Sequence, residues 1–296
     1  MADIQLRFNK DMLVITSPVT NQLMSQDVDS GNTIEMMSIV EDELTCAAYK
    51  LQDVAGVQCF CTHLPNITQS HLAHSNMTAL AQDLANQCID VIKNHKPQHL
   101  FVEIAPCMLA LDPSSQASIN QSQNQYAQAA KLFDHHDFDA YYLNGMLSLA
   151  DLRCAVLGVR QVSTKPIMAC VKVANNGSFL HKSHTLQEIV TQMHDLDVDA
   201  FGVEVQCDLD TACDIFKQLA ALTTKPLIAQ INVAENNPKQ LKELPENPYF
   251  CADIMVQVAS RLRAQGVQFL RAVGNATPAY AAALVIASQG FDVKNR

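Results

Sequence analysis

Ser163-Thr-Lys-Pro166 leads into the apolar run Ile167-Met-Ala-Cys-Val-Lys-Val173, and Thr223-Thr-Lys-Pro226 leads into Leu227-Ile-Ala-Gln-Ile-Asn-Val233. The two stretches begin 60 residues apart, which is the length of two strand-helix units of about 30 residues each. Apolar runs that lack alternation are typical of parallel strands that are covered on both faces. The repeat therefore favours an α/β fold built from many such units.

Six further apolar runs of strand length are found on either side of these two stretches. The eight predicted strands are residues 12–17, 57–62, 99–104, 140–145, 166–173, 200–205, 226–233 and 267–274. A doubly wound open sheet would normally carry a glycine-rich phosphate loop, and neither GxGxxG nor GxxxxGK[ST] occurs. We therefore predict a single (β/α)8 TIM barrel, with residues 1–296 as one domain.

Helical patterns separate the predicted strands. The first apolar stripe consists of Met37, Val40, Leu44, Ala47, Leu51 and Val54. Helix starts are predicted at Asn32 with Glu35, at Thr185 with Glu188, and at Thr277 followed by Pro278.

The composition excludes several classes of protein. The net charge is −10 and the Lys and Arg residues are scattered, which argues against a nucleic-acid surface. No apolar segment reaches the length of about 18 residues that a membrane span needs. Ten cysteines without a CxxC pair or a secretion signal indicate reduced thiols, so we expect a cytoplasmic protein.

Four charged residues lie inside or at the ends of predicted strands: Glu103, Lys172, Glu204 and Arg271. An unpaired buried charge costs several kcal/mol, roughly, so each needs a partner or a ligand. One interpretation is a polar pocket for a small charged ligand, with Arg271 suited to a carboxylate or a phosphate. The other is an internal salt-bridge cluster, for example Glu204 with Arg271, that plugs the barrel.

Sequence motifs add a family resemblance. Gly266-Val-Gln-Phe-Leu-Arg-Ala-Val-Gly-Asn-Ala-Thr-Pro278 resembles Gly-x-x-x-x-Gly-Gly-Cys-Cys-Gly-Thr-Thr-Pro, the ending of the homocysteine S-methyltransferase family. Asp199-Ala-Phe-Gly-Val-Glu-Val205 resembles its Asp-Ala-x-Gly-x-Asn-Cys. Weaker matches start at Ala55, Phe138 and Lys225, so the resemblance covers nearly the whole chain.

The resemblance implies a zinc ion held by three cysteine thiolates, which activates the thiol of homocysteine for methylation. Those three positions are Val205, Val273 and Gly274 in this sequence. Asn144 replaces a family Glu and Glu204 a family Asn, whereas Asn232 is retained. We therefore expect the zinc-thiolate site to be lost and the protein to be a divergent or non-catalytic member. Such a member would bind a small polar ligand or a partner methyltransferase module.

Two active alternatives stay open, and either would make the protein a methyltransferase-class enzyme. One is a metal site relocated to Cys61, His63, Cys107 and Cys207, although their spacing is not that of a typical metal motif. The other is zinc-free chemistry at the barrel mouth. No cofactor motif is visible, so none is predicted. The candidate ligand-binding residues are Glu103, Asn144, Lys172, Glu204, Asn232, Arg271, Cys61 and His63.

Overall fold

The computed structural model describes residues 3–20, 23, 35, 42–146, 148–178 and 184–293. Within this part, eight parallel strands form one sheet in the order β1-β8-β7-β6-β5-β4-β3-β2. The strands are β1 Leu13–Val14, β2 Cys59–Cys61, β3 His99–Ile104, β4 Ala140–Met146, β5 Ile167–Lys172, β6 Ala200–Val205, β7 Leu227–Val233 and β8 Val267–Gly274. A parallel bridge between Ile15 and Cys59 joins the two outer strands. The predicted (β/α)8 barrel is confirmed.

Strands β1 and β2 are shorter than the predicted runs 12–17 and 57–62, and the boundaries of the other strands lie within one residue of the prediction. Strands β3, β6 and β8 have the predicted limits. Pro166 and Pro226 lack an N–H group, so β5 and β7 begin one residue later than predicted. Their carbonyls still accept hydrogen bonds from Tyr141 and Phe201 on neighbouring strands.

Helices surround the barrel. In the described residues they are α1 Asp42–Val54, α2 Gln69–His74, α3 Ala81–Lys93, α4 Gln116–Lys131, α5 Leu149–Arg160, α6 Leu186–Asp195, α7 Leu209–Leu222, α8 Ile254–Ala264 and α9 Pro278–Ser288. The capping box of Thr185 and Glu188 is present, and Pro278 occupies the first turn of α9. Asn32, Met37 and Val40 lie outside the described residues.

The apolar stripe predicted for α1 is wrong at Ala47, Leu51 and Val54, whereas Leu44 does pack against the core. Leu51 and Val54 are exposed, while Thr45, Ala48 and Gln52 are buried. Tyr49 explains the rotation of the helix, because its ring stacks on Phe60 of β2. Its hydroxyl also donates to the Cys61 carbonyl over 2.6 Å. A large aromatic anchor with a buried hydrogen bond outweighs the small aliphatic side chains of the stripe.

The lower part of the barrel interior is apolar, and a short N-terminal 3-10 helix, Ile4–Arg7, closes its base. Ile4 is buried in the same cluster as Leu13 and Phe269. Phe8 packs edge-on against Phe269. Because side chains alternate along a strand, the inward positions two residues above this cluster form the next layer. That layer is polar, and it contains the candidate site.

The search for membrane spans finds no helix in the described part of the chain that is long and apolar enough to cross a bilayer.

Candidate functional site

An ion pair lies at the centre of the barrel. The Arg271 guanidinium donates from Nη2 to Glu103 Oε2 over 2.7 Å and from Nη1 to Glu103 Oε1 over 3.0 Å. Both side chains are buried, with 1% of Arg271 and 5% of Glu103 exposed. Arg271 Nε also donates to the Thr16 carbonyl over 2.9 Å. The planar guanidinium and the carboxylate therefore meet in the two-point geometry that suits them best.

Two amides close this ion pair into a ring of four side chains. Asn144 Nδ2 donates to Glu103 Oε1 over 2.7 Å. Gln230 Nε2 donates to Asn144 Oδ1 over 2.7 Å, and Arg271 Nη1 donates to Gln230 Oε1 over 3.3 Å. The ring crosses the barrel from β3 and β4 to β7 and β8. It satisfies the buried polar groups that would otherwise be costly in the interior.

Burial and charge act in opposite directions on Arg271. Burial lowers the pKa of its guanidinium, but the charge and hydrogen bonds of Glu103, together with Cys61 and Tyr142, hold the pKa well above its ordinary value. The ring of Tyr142 lies 5.4 Å from the guanidinium carbon and adds a cation–π contact. Arg271 is therefore permanently charged and already has its counter-ion.

The pairing of Glu204 with Arg271, given above as an example of an internal salt-bridge cluster, is wrong, because Arg271 pairs with Glu103. Glu204 Oε1 instead lies 3.1 Å from Lys172 Nζ and accepts from Asn232 Nδ2 over 2.6 Å. Lys172 and Glu204 are direct neighbours in the register of β5 and β6. Glu204 is nearly buried, whereas almost half of the Lys172 side chain, 47%, is exposed. This second cluster therefore reaches solvent at the C-terminal mouth of the barrel.

Cys61 belongs to the ion-pair layer, but the ring nitrogens of His63 face the helices. Burial raises the pKa of the Cys61 thiol above its ordinary value, with Arg271 opposing this. His63 Nδ1 lies 3.4 Å from the Tyr49 hydroxyl and Nε2 lies 3.9 Å from Cys88 Sγ. Burial lowers the pKa of His63 to about 4. At neutral pH its imidazole is therefore uncharged.

A small cavity of about 30 Å³ lies beside the ion pair. Its walls include Ser17, Thr62, Glu103 and Arg271. The Ser17 hydroxyl is buried without a hydrogen-bond partner. This volume suits one or two water molecules and is far below the roughly 300 Å³ of small-molecule pockets.

Sequence reasoning missed Gln230 and the role of the Thr16 carbonyl. Gln230 is the middle member of the inward row Ile228, Gln230, Asn232 on β7. A glutamine inside an apolar strand run was the available signal, because a buried amide needs partners. The backbone carbonyl of Thr16 gives no signal in a sequence.

The three positions at the ends of β6 and β8 to which the resemblance assigns zinc ligands carry no metal-binding side chain. Val205 and Val273 are buried, and Gly274 has a φ of +68°. A Cβ atom placed on Gly274 would lie 2.6 Å from the Val233 carbonyl oxygen and 2.6 Å from Asn232 Oδ1. Neither valine nor glycine can donate to zinc.

Two of the cysteines proposed for a relocated site are buried thiols that are not grouped with other metal-binding side chains of the described residues. Cys107 and Cys207 are buried. Burial raises the pKa of the Cys107 thiol, and it raises the pKa of Cys207 to about 11. Among the residues that the structure describes, no three of His, Cys, Asp and Glu are grouped so as to hold one metal ion.

Comparisons with solved structures identify the same architecture. The homocysteine methyltransferase MmuM from Escherichia coli matches in its oxidised form with a TM-score of 0.76 and 14% identity, over 94% of this chain and 96% of that chain. Its metallated form matches with a TM-score of 0.75 at the same identity and coverage. The carboxyl transferase domain of Rhizobium etli pyruvate carboxylase, solved with oxalate, gives 0.56 and 13% identity, over 95% of this chain and 43% of that chain. These likenesses show the barrel fold.

The search of curated proteins found no match. The family model described as homocysteine S-methyltransferase matches residues 22–276, which is most of the chain. The residues behind the sequence resemblance therefore reflect common family membership. This chain belongs to the homocysteine S-methyltransferase family.

Proposed function

We propose that this chain is a zinc-free member of its family that does not methylate homocysteine and binds a small polar ligand at the mouth of the barrel. Family resemblance assigns zinc thiolates to positions 205, 273 and 274. Here these residues are two valines and a glycine, so they do not fit a zinc-thiolate centre. No catalytic step through zinc is therefore derived for this chain.

The observation that carries the proposal is the backbone at Gly274. At this positive φ an added Cβ would lie 2.6 Å from the Val233 carbonyl oxygen, so a side chain at position 274 requires the backbone to shift. Asn275 N donates to the same Val233 carbonyl over 2.8 Å, which holds that oxygen in place. The strand end is thus built around a glycine, in a backbone conformation that a cysteine would adopt only with strain.

Loss of the metal removes the chemical basis of the family reaction. A free thiol has a pKa near 8.5, roughly, and only a few per cent of it is ionised at pH 7. The buried ring of Glu103, Arg271, Asn144 and Gln230 offers no substitute Lewis acid. Arg271 is also engaged by Glu103 on both of its Nη groups, so the ligand site is not centred on it.

Lys172 and Glu204 are the better candidates for ligand contacts. They present an ammonium and a carboxylate 3.1 Å apart, with the Asn232 amide beside them. An α-amino acid carries the complementary pair of charges on one carbon. The carboxylate of the amino acid would bind the partly exposed Lys172, and its ammonium would bind Glu204. The proposed ligand class is therefore a small zwitterionic amino acid.

The first prediction concerns metal and activity. The protein is purified without a histidine tag and dialysed against a buffer that contains zinc and a reductant. It should retain well below one zinc per chain, measured by plasma mass spectrometry. It should form no methionine from homocysteine with a folate, betaine or S-methylmethionine donor, because no thiolate centre activates the thiol.

The opposite result is equally informative. Near-stoichiometric zinc that is lost in Cys207→Ser or Cys61→Ser would establish a relocated metal site and overturn the zinc-free proposal. Methionine formation in the absence of bound metal would instead favour zinc-free chemistry at the barrel mouth. Cys251→Ser serves as the matched control, since Cys251 is a partly exposed thiol that was not proposed for either site.

The second prediction concerns the ligand. L-methionine and L-homocysteine should each bind in isothermal titration calorimetry, and Lys172→Met should weaken binding about tenfold, the effect of one charged hydrogen bond of ~1.5 kcal/mol. Methionine keeps most of the lysine stem and removes only the charge.

Lys225→Met is the matched control. Lys225 lies just before β7, at the end of the barrel opposite the C-terminal mouth, and pairs with Asp197. This variant should leave the affinity unchanged. If neither amino acid binds the unmodified protein, or if both variants weaken binding equally, the amino-acid site at Lys172 is wrong.

A further inference from the structure

A second cluster of reactive groups lies outside the barrel, on α1 and just after α3. Cys46 Sγ lies 3.6 Å from His95 Nε2. His95 Nδ1 lies 3.8 Å from Asp53 Oδ2. Thiol, imidazole and carboxylate therefore follow one another in the order that activates a nucleophilic cysteine. We propose that Cys46 is a site of S-thiolation, at which the thiol exchanges with low-molecular-weight disulfides.

The imidazole is held in the orientation that the exchange needs. Its ring packs against Tyr49 and Phe60, with centroids 6.2 Å and 6.3 Å away. A carboxylate can only accept, so Asp53 favours the tautomer with hydrogen on Nδ1 and leaves Nε2 free to take the thiol proton. The contact of 3.8 Å acts through charge and is longer than a hydrogen bond.

The carboxylate stays ionised at neutral pH. Lys50 Nζ donates to Asp53 Oδ2 over 2.8 Å. This hydrogen bond lowers the pKa of Asp53, and His95 lowers it further. Lys50 also follows Cys46 by one helical turn, so its charge lies on the side of α1 where a thiolate would form.

Cys46 differs from the other cysteines in access as well as in neighbours. Eight of the ten are buried, and only Cys46 and Cys251 are partly exposed. Burial raises the pKa of every one of those eight thiols, which keeps them protonated. Within the described chain, Cys251 has no imidazole within hydrogen-bonding distance. It is the natural internal reference.

The position of Cys46 argues for disulfide exchange over acyl transfer. It lies inside α1, so helix geometry directs its backbone N–H to the carbonyl four residues earlier. That N–H is not available to stabilise an oxyanion, which acyl transfer requires. Disulfide exchange is a single displacement at sulfur and needs no such donor.

The exchange balances without a further reactant. Cys46 Sγ attacks one sulfur of the small disulfide and forms a new S–S bond, while the original S–S bond breaks. His95 Nε2 takes the proton from Cys46 and returns it to the departing thiolate, which leaves as a thiol. Cys46 is oxidised and the departing sulfur is reduced.

The test uses the reduced full-length protein and glutathione disulfide. Aliquots are quenched with N-ethylmaleimide, and the peptides that contain Cys46 and Cys251 are quantified by mass spectrometry. Cys46 should be thiolated at least about tenfold faster than Cys251, a threshold set below the roughly 10²–10⁴-fold assistance typical of a positioned base. His95→Phe keeps an aromatic ring against Tyr49 and should reduce the Cys46 rate to that of Cys251.

Equal rates for Cys46 and Cys251 in the unmodified protein would overturn the inference. An unchanged Cys46 rate in folded His95→Phe would do so as well. If His95→Phe exposes the buried cysteines, Asp53→Asn replaces it, because Asp53 is near the surface and its loss should slow Cys46 without altering Cys251. An unchanged Cys46 rate in Asp53→Asn would also contradict the role of the cluster.

Discussion

Glu103→Ala should lower the free energy of unfolding by about 3–5 kcal/mol, because it leaves the Arg271 charge buried without its partner. Only 1% of Arg271 is exposed, and a water molecule in the cavity beside it would not replace the charge of the lost carboxylate. Asn144 also loses its acceptor. The change is measured as a shift of the urea unfolding midpoint at pH 7, followed by circular dichroism.

Two further variants distinguish the effect of the unpaired buried charge on stability from the effect of lost packing contacts. The double variant Glu103→Leu with Arg271→Met removes both charges at similar volume and should recover most of the lost stability. Asp210→Ala removes an exposed ion pair with Arg261 whose distance is 2.6 Å. It should leave the midpoint nearly unchanged, since surface pairs contribute little.

A normal midpoint for Glu103→Ala would show that Arg271 finds another partner or a ligand. That outcome would return Arg271 to the ligand site. A lowered midpoint would indicate that Glu103 and Arg271 form a structural ion pair inside the barrel. Lys172 and Glu204 would then remain as the charged groups that face solvent.

Restoring the three family cysteines should not restore a zinc centre. In the triple variant Val205→Cys, Val273→Cys, Gly274→Cys, the new side chain at 274 meets the Val233 carbonyl at 2.6 Å. Overpacking of this kind costs about 1–3 kcal/mol, and a side chain at positive φ adds about 1–3 kcal/mol. We expect a loss of stability of about 2–6 kcal/mol and substoichiometric zinc by plasma mass spectrometry.

Two alanine variants isolate the steric contribution to the destabilisation at position 274. Gly290 also has a positive φ, +77°, but nothing lies within 4 Å of an added Cβ. Gly290→Ala should therefore show the backbone strain alone, and Gly274→Ala should lower the urea midpoint further. A triple variant that folds stably and binds one zinc per chain would show that the strand end adapts. The argument from Gly274 would then fail.

Several features of the fold were predictable because they depend on local pattern. The limits of β3, β6 and β8 agree with the apolar runs, since parallel strands covered on both faces have no competing periodicity. The charged residues at strand ends do project into the barrel. The capping box at Thr185 depends on two residues three positions apart, so it was visible in the chain.

Contacts between distant strands were not predictable in the same way. Both Glu103 and Glu204 were available to Arg271, and only the tilt and stagger of the barrel decide which one lies in its layer. Register sets Arg271 beside Gln230 and Glu204 beside Lys172. The rotation of α1 was also hidden, since the position of Tyr49 depends on Phe60 and the Cys61 carbonyl. The same rotation brings Cys46 to His95.

The sequence by itself determined the barrel, the family and the absence of thiol side chains at three positions, because these follow from residue identity and from local periodicity. Only the tertiary structure decided which charges neutralise each other, which lysine reaches solvent and whether position 274 has room for a side chain. Those outcomes depend on distances between chain segments that are far apart in sequence. Strand tilt and register set these distances, and no local pattern encodes them.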